Sequence, residues 1–177
     1  MDLHDFTGGE MYFDEKLPSQ VTHLIASASD AYAEGSAEPH LHRAYFLAPE
    51  SLTVMVALYR FYYYQHRYED ALICSSKAMA ITAKKLEMPV PWRELDMPTL
   101  AYGLMNSMTL VRFYLLTLKG AGYLNLRLNN IELGVEMLEK VMELDQEDRL
   151  GTGYLLQTVE GYCRRKEANF GKLTVVA

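Results

Sequence analysis

Three features of the sequence predict an all-α protein. Apolar residues recur at helical spacing from residue 18 onward, and the Val and Ile alternation of strands is nearly absent. A pattern of small and apolar residues also returns after 34 positions. Val21, Leu24, Ala28, Ala37 and Ala44 are followed at that interval by Met55, Leu58, Tyr62, Ala71 and Ala78.

Residues 1–17 carry no such periodicity and stand as an N-terminal extension. The first unit spans 18–51 and closes at Leu47-Ala48-Pro49-Glu50-Ser51, with a proline where a helix must stop. The second spans 52–85, with Tyr68-Glu69-Asp70-Ala71 leading into its second helix. A third, over 115–148, has Gly122, a turn at Asn129-Asn130, the small residue Gly134, and Val141 through Leu144-Asp145. Between the last two lies an insertion, 86–114, where Pro89, Pro91 and Pro98 forbid a continuous helix. From Thr99 the apolar steps Leu100, Leu104, Met108, Val111, Leu115 and Leu118 predict one helix unbroken to Leu126, about 40 Å long at ~1.5 Å per residue. Over 149–168, Leu155, Leu156, Val159, Tyr162 and Cys163 oppose Gln157, Glu160, Arg164, Arg165 and Glu167, as in a helix that covers the end of a stack. Residues 169–177 form a tail.

These units resemble the tetratricopeptide repeat (TPR), a helix–turn–helix in which small residues let two antiparallel helices pack closely. The third departs from that pattern at Ala121, Asn125 and Gln146, where a large apolar residue, an aromatic and a proline are usual. The resemblance implies a TPR-like α-solenoid over 18–148 with a C-terminal capping helix. It also implies a non-enzymatic protein–protein interaction module, an adaptor, scaffold or chaperone-like protein, that holds a peptide or protein segment in a concave groove.

In the run Tyr59-Arg60-Phe61-Tyr62-Tyr63-Tyr64, helical geometry groups Tyr59 and Tyr62 with Met55 and Leu58 as core. Arg60, Tyr63 and Tyr64 fall toward the other side, which in the repeat family lines the groove. The same register brings Lys119, Tyr123 and Arg127 there. Tyrosine and arginine anchor interfaces because they bury area at little entropic cost or make forked hydrogen bonds. One form of the family clamps a C-terminal carboxylate with lysines and asparagines; the corresponding Thr22, Ala26, Ala57, Leu116 and Gly120 lack that chemistry.

Charge narrows the partner. With 17 Lys and Arg against 23 Asp and Glu, the net charge of −6 argues against nucleic acid. Residues 52–128 nevertheless hold nine Lys and Arg and five Asp and Glu, a basic centre suited to an acidic segment. The alternative is a self-assembling protein whose aromatic patch and Trp92 form a homodimer interface.

Enzyme chemistry is not expected: GxxxxGK[ST], HExxH, GxSxG and CxxC are all absent. A metal role for Glu38, His40 and His42 is disfavoured by spacings of two, which point side chains apart on a helix. His66 falls in a turn. No cofactor and no metal are expected. The apolar stretch Leu52–Tyr64 is too short to span a membrane, and the acidic start Met1-Asp2-Leu3-His4-Asp5 is unlike an export signal. With only Cys74 and Cys163, far apart, the chain is expected in the reducing cytoplasm.

Overall fold

A computed structural model describes residues 15–33, 35–159 and 161. Among them the protein is all-α, with no strand. The helices are α1 (Ser19–Asp30), α2 (Ala37–Leu47), α3 (Leu52–Tyr64), α4 (Tyr68–Lys85), α5 (Met97–Asn106), α6 (Met108–Arg127) and α7 (Ile131–Leu144). A short 3₁₀ turn, Trp92–Glu94, precedes α5, and helix resumes over 153–159. The remainder of the covering helix expected over 149–168, Cys163 included, lies outside the described residues, as do most of the N-terminal extension and the tail.

Short turns pair α1 with α2, α3 with α4 and α6 with α7, and the second pair joins the third chiefly through α4 against α6. All the positions of the 34-residue pattern are buried, and Val21, Ala44 and Ala71 have no exposed surface. In the third pair the helices approach through two glycines. A methyl group on Gly134 would sit 2.9 Å from the Gly122 carbonyl oxygen and 2.7 Å from Leu126, so only hydrogen fits there. Asn125, where α3 has Tyr62, is buried yet satisfied: its amide donates to the Ala121 carbonyl at 3.0 Å and its oxygen accepts from Asn130.

Three helices, α3, α4 and α6, end in one backbone device. His66, Glu87 and Asn129 follow their last turns and adopt positive φ, between 54° and 63°. The next N–H in each case reaches back five residues: Arg67 to Tyr62, Met88 to Ala83 and Asn130 to Asn125. This left-handed cap satisfies carbonyls the helix leaves open and turns the chain sharply. The ends are also charge-matched in α4, with Glu69 and Asp70 in the first turn and Lys84 and Lys85 in the last.

The long helix expected from Thr99 to Leu126 is broken. Ser107 is extended (φ −162°, ψ 107°); its N–H closes α5 on the Gly103 carbonyl, and its hydroxyl accepts from Leu110 N–H to open α6. The break lets α5 lay Leu100 and Gly103 against Met88 and Val111, while Asn106 donates to the Leu86 carbonyl. Leu104 and Met108, placed by spacing on the packed side, are therefore exposed, as is Met105 between them. Part of the stretch read as insertion is helix α6, and its Val111, Phe113 and Tyr114 are core.

The proline-rich loop is fastened to the last pair. Leu95 is buried, and its carbonyl accepts from Lys140 Nζ at 3.1 Å. Arg93 forks onto Glu136, with both contacts at 2.6 Å, and lies 4.3 Å above the Trp92 ring. Trp92 is half-buried and packs with the cluster that contains Met137 and Val141.

Glu15 ties the chain before α1 to the second pair. Its carboxylate accepts from the Ser51 hydroxyl (2.7 Å) and Thr53 N–H (3.1 Å) at the start of α3, and meets Lys85 at 3.3 Å. Partial burial raises its pKa, but these hydrogen bonds outweigh it and hold the carboxyl below the ordinary 4.5.

Two predictions follow from this packing. Ala71→Leu and Gly134→Ala should each destabilise by about 1–3 kcal/mol in urea titration, because neither helix pair has room for the added atoms; neutral results would mean the helices do not approach as described. Glu15→Gln should cost on the order of 1 kcal/mol after allowance for solvent exposure. Because the folded pKa is lowered, this contribution is present above about pH 4.5 and disappears as pH falls through the lower folded value. The stabilities of wild type and variant should therefore converge in acid.

Candidate functional site

The residues singled out from the sequence gather on one side of α3 and α6, but they line two hollows rather than one continuous trough. Arg60 and Tyr64 line a cavity of about 470 Å³ between α1, α2 and α3, together with Ile25, Ser29, Tyr32, Leu41, Ala57 and Phe61. Tyr63, Lys119 and Tyr123 line a second cavity of about 300 Å³, with Gly120, Gly151, Tyr154 and Leu155. Helical geometry explains the division. Tyr63 and Tyr64 project from adjacent positions of α3 about 100° apart, so each faces a different hollow.

An aromatic ridge stands between them. Tyr63 stacks on Tyr59 at 6.1 Å between centroids, meets Tyr64 edge-on at 5.5 Å, and reaches Tyr123 of α6 at 6.4 Å. Such contacts hold large side chains in fixed positions at little further entropic loss. Arg127 completes the ridge: its guanidinium lies 4.8 Å above the Tyr68 ring and donates to the Tyr123 hydroxyl at 3.1 Å. The same bond raises the Arg127 pKa, which keeps the charge fixed.

Lys119 is in place, and its ammonium donates to the Leu150 carbonyl at 2.6 Å. That bond pins the segment after α7 over the second cavity. The segment is further shaped by Asp145, which accepts from Leu150 N–H, and by Asp148, which accepts from the N–H groups of Thr152 and Gly153.

Three cations of the basic centre read from residues 52–128 are paired with acids from outside that span. Arg67 pairs with Glu38 of α2 at 2.8 Å, Arg93 with Glu136 of α7, and Lys85 with Glu15. Lys77 donates to the Tyr45 hydroxyl at 2.7 Å. These cations fasten one element to another.

The Glu38, His40 and His42 cluster also has a structural use. Glu38 serves Arg67, and His42 Nε2 lies 2.7 Å from the Tyr62 hydroxyl. Burial, with the Glu38 charge nearby, pushes the Tyr62 hydroxyl up to about 12, so it stays protonated and can donate. Arg67 also lies 4.5 Å above the Tyr62 ring. No group of three His, Cys, Asp or Glu suited to a metal occurs among the described residues. Cys74 is buried, and desolvation pushes its thiol up to about 11, which leaves it unreactive at neutral pH. Among the same residues no helix is long and apolar enough to cross a membrane.

Ile25, Tyr32, Leu41 and Phe61 are the wall residues that sequence reasoning passed over. Extending the inner-face register to α1 points to Ser29 and its neighbours; Tyr32 lies in the following turn, where no periodicity applies.

No protein-family profile matches the chain, and no solved structure matches it. It is similar to an uncharacterized 19.8 kDa protein in the nifW 5′ region of Azotobacter chroococcum mcd 1. The two are 48% identical over 159 residues, which cover 90% of this chain and 89% of the relative. Identity at that level along nearly the whole of both chains means one shared fold, and this chain belongs to the same family as the Azotobacter protein.

Proposed function

We propose that the helix pairs form a TPR-like solenoid and that the protein is a non-enzymatic interaction module, which receives a peptide or protein segment along the face of α1, α3 and α6. The observation that carries this reading is the rigid tyrosine ridge with a hollow on either side. A flat surface offers a chain no pockets for its side chains; alternating ridge and hollow does, since successive residues of an extended segment point to opposite sides. Lys119 and Arg127 act in this reading as braces for the site, and Arg60 and Tyr64 as contact residues. The cytoplasm is the proposed location.

The test is selection of binders from a random displayed peptide library, followed by affinity measurement. The double variant Arg60→Glu/Arg127→Glu should lose binding of the selected peptides by at least about tenfold while helical circular dichroism is unchanged. Undiminished binding by the folded double variant would reject the groove.

Self-association is a second reading, favoured by the exposed apolar side chains Met97, Leu104, Met105 and Met108 of α5 and the start of α6. Sedimentation at micromolar concentration should then show a dimer that Met105→Lys dissociates. A strictly monomeric wild type eliminates it.

A further inference from the structure

Charge is divided unevenly among the helices. In a chain of net charge −6, α3 and α6 hold Arg60, Arg112, Lys119 and Arg127 and no Asp or Glu. Steps of three or four along α6, from Arg112 through Leu116, Lys119 and Tyr123 to Arg127, keep Arg112 on the side that carries the ridge. Arg60, Tyr64 and Arg112 all have partners in the folded protein, so an occupant of this face is sought first within the chain itself.

Two terminal stretches lie outside the described residues, and their charges separate them. Residues 162–177 carry four Lys and Arg against one Glu, which a face of like charge repels. Residues 1–14 carry Asp2, Asp5, Glu10 and Asp14, no Lys or Arg, and the rings of Phe6, Tyr12 and Phe13. That acidic, aromatic composition is complementary to cations set beside tyrosines and hollows, since guanidinium groups take carboxylates in forked bonds and apolar hollows take rings.

The point from which residues 1–14 depart is fixed. Glu15 is held by Ser51 and Thr53 at the start of α3 and by Lys85. Arg60 lies two turns beyond Thr53, about 10 Å along the helix at ~1.5 Å per residue, whereas residues 1–14 fully extended span up to about 46 Å. They therefore start beside the groove and are long enough to cross from α3 to α6. Tethering adds to this. An effective concentration of about 1 mM keeps a segment with an intrinsic Kd of ~0.1 mM seated about nine-tenths of the time.

We propose that residues 1–14 are the groove's own ligand, with their carboxylates against Arg60 and Arg112 and their aromatic side chains in the hollows beside the tyrosine ridge. An outside segment of the same acidic, aromatic kind binds by displacing them. This rests on the groove reading above and adds that access to the groove is controlled in cis: whatever draws the N-terminal segment away opens it.

The experiment places a nitroxide at Gly8→Cys in the full chain carrying Cys163→Ser; the buried thiol of Cys74 does not compete for the label at neutral pH. In nuclear magnetic resonance spectra the amide signals of Ala57, Arg60 and Leu116 should broaden more than that of Glu87, which lies two residues from the tether at Lys85 but off the face. A peptide selected from the displayed library should sharpen them again. Replacing Asp2, Asp5 and Asp14 by Asn and Glu10 by Gln should remove the preference and tighten peptide binding at least about fivefold, with circular dichroism checking the fold. Equal broadening at Arg60 and Glu87, or broadening that persists with peptide bound, would overturn the proposal and leave the groove reading standing. Broadening of isotope-labelled chains by nitroxide on unlabelled ones would assign the segment to the groove of a second copy and overturn control in cis. If selected peptides bind neither chain, with or without the four acids, the groove reading falls and this inference with it.

Discussion

Each of these helices is too narrow to bury its apolar stripe alone, so the closeness with which partners approach sets the rest of the molecule. At Ala37, Ala71 and Gly134 the second helix of a pair presents almost no side chain to the first. Backbones then lie near each other, dispersion contacts become dense, and larger residues can be accommodated only above and below the crossing. The third pair takes this furthest, with the Gly122 carbonyl filling the space a methyl group on Gly134 would need. That choice removes side-chain area from the core at the crossing, and the long α6, buried along most of its length, supplies it elsewhere.

A second constraint is the turn. His66, Glu87 and Asn129 accept a left-handed backbone that glycine would enter more readily. Two of them use their side chains locally: His66 Nδ1 lies 2.9 Å from the Tyr68 hydroxyl, and Glu87 accepts from the Tyr102 hydroxyl at 2.8 Å. The latter bond holds the pKa of Tyr102 above its ordinary value. Non-glycine residues persist at such positions when surrounding contacts over-determine them. Repetition of one hydrogen-bond pattern at three helix ends shows the chain solving the same steric problem in the same way, with different residues each time.

Helix identity and much of the core were legible because they are periodic. The spacing of Val21, Leu24 and Ala28, repeated at Met55, Leu58 and Tyr62, encodes which face is inward before any contact is known. The break at Ser107 was not legible, since Leu104 and Met108 keep perfect helical spacing across it. What decides the matter is a cap made by one serine and a sulfur-containing side chain, Met88, that fits only against Gly103. That the candidate residues share a side of α3 and α6 was legible, but their division into two hollows was not, because it depends on how α1, α2 and the segment after α7 close around them. The pairing of three cations in the basic centre was hidden for a similar reason. Net charge along a stretch says nothing about acids that arrive from elsewhere, and Glu38, Glu136 and Glu15 all do.

The bond from Lys119 to the Leu150 carbonyl makes one hollow answerable to distant backbone. An ammonium carries three N–H donors, so the bond to residue 150 leaves two with which an acceptor entering that hollow could be met. Filling the hollow and keeping the trailing backbone in place are then compatible, and loss of this one side chain would remove both roles together.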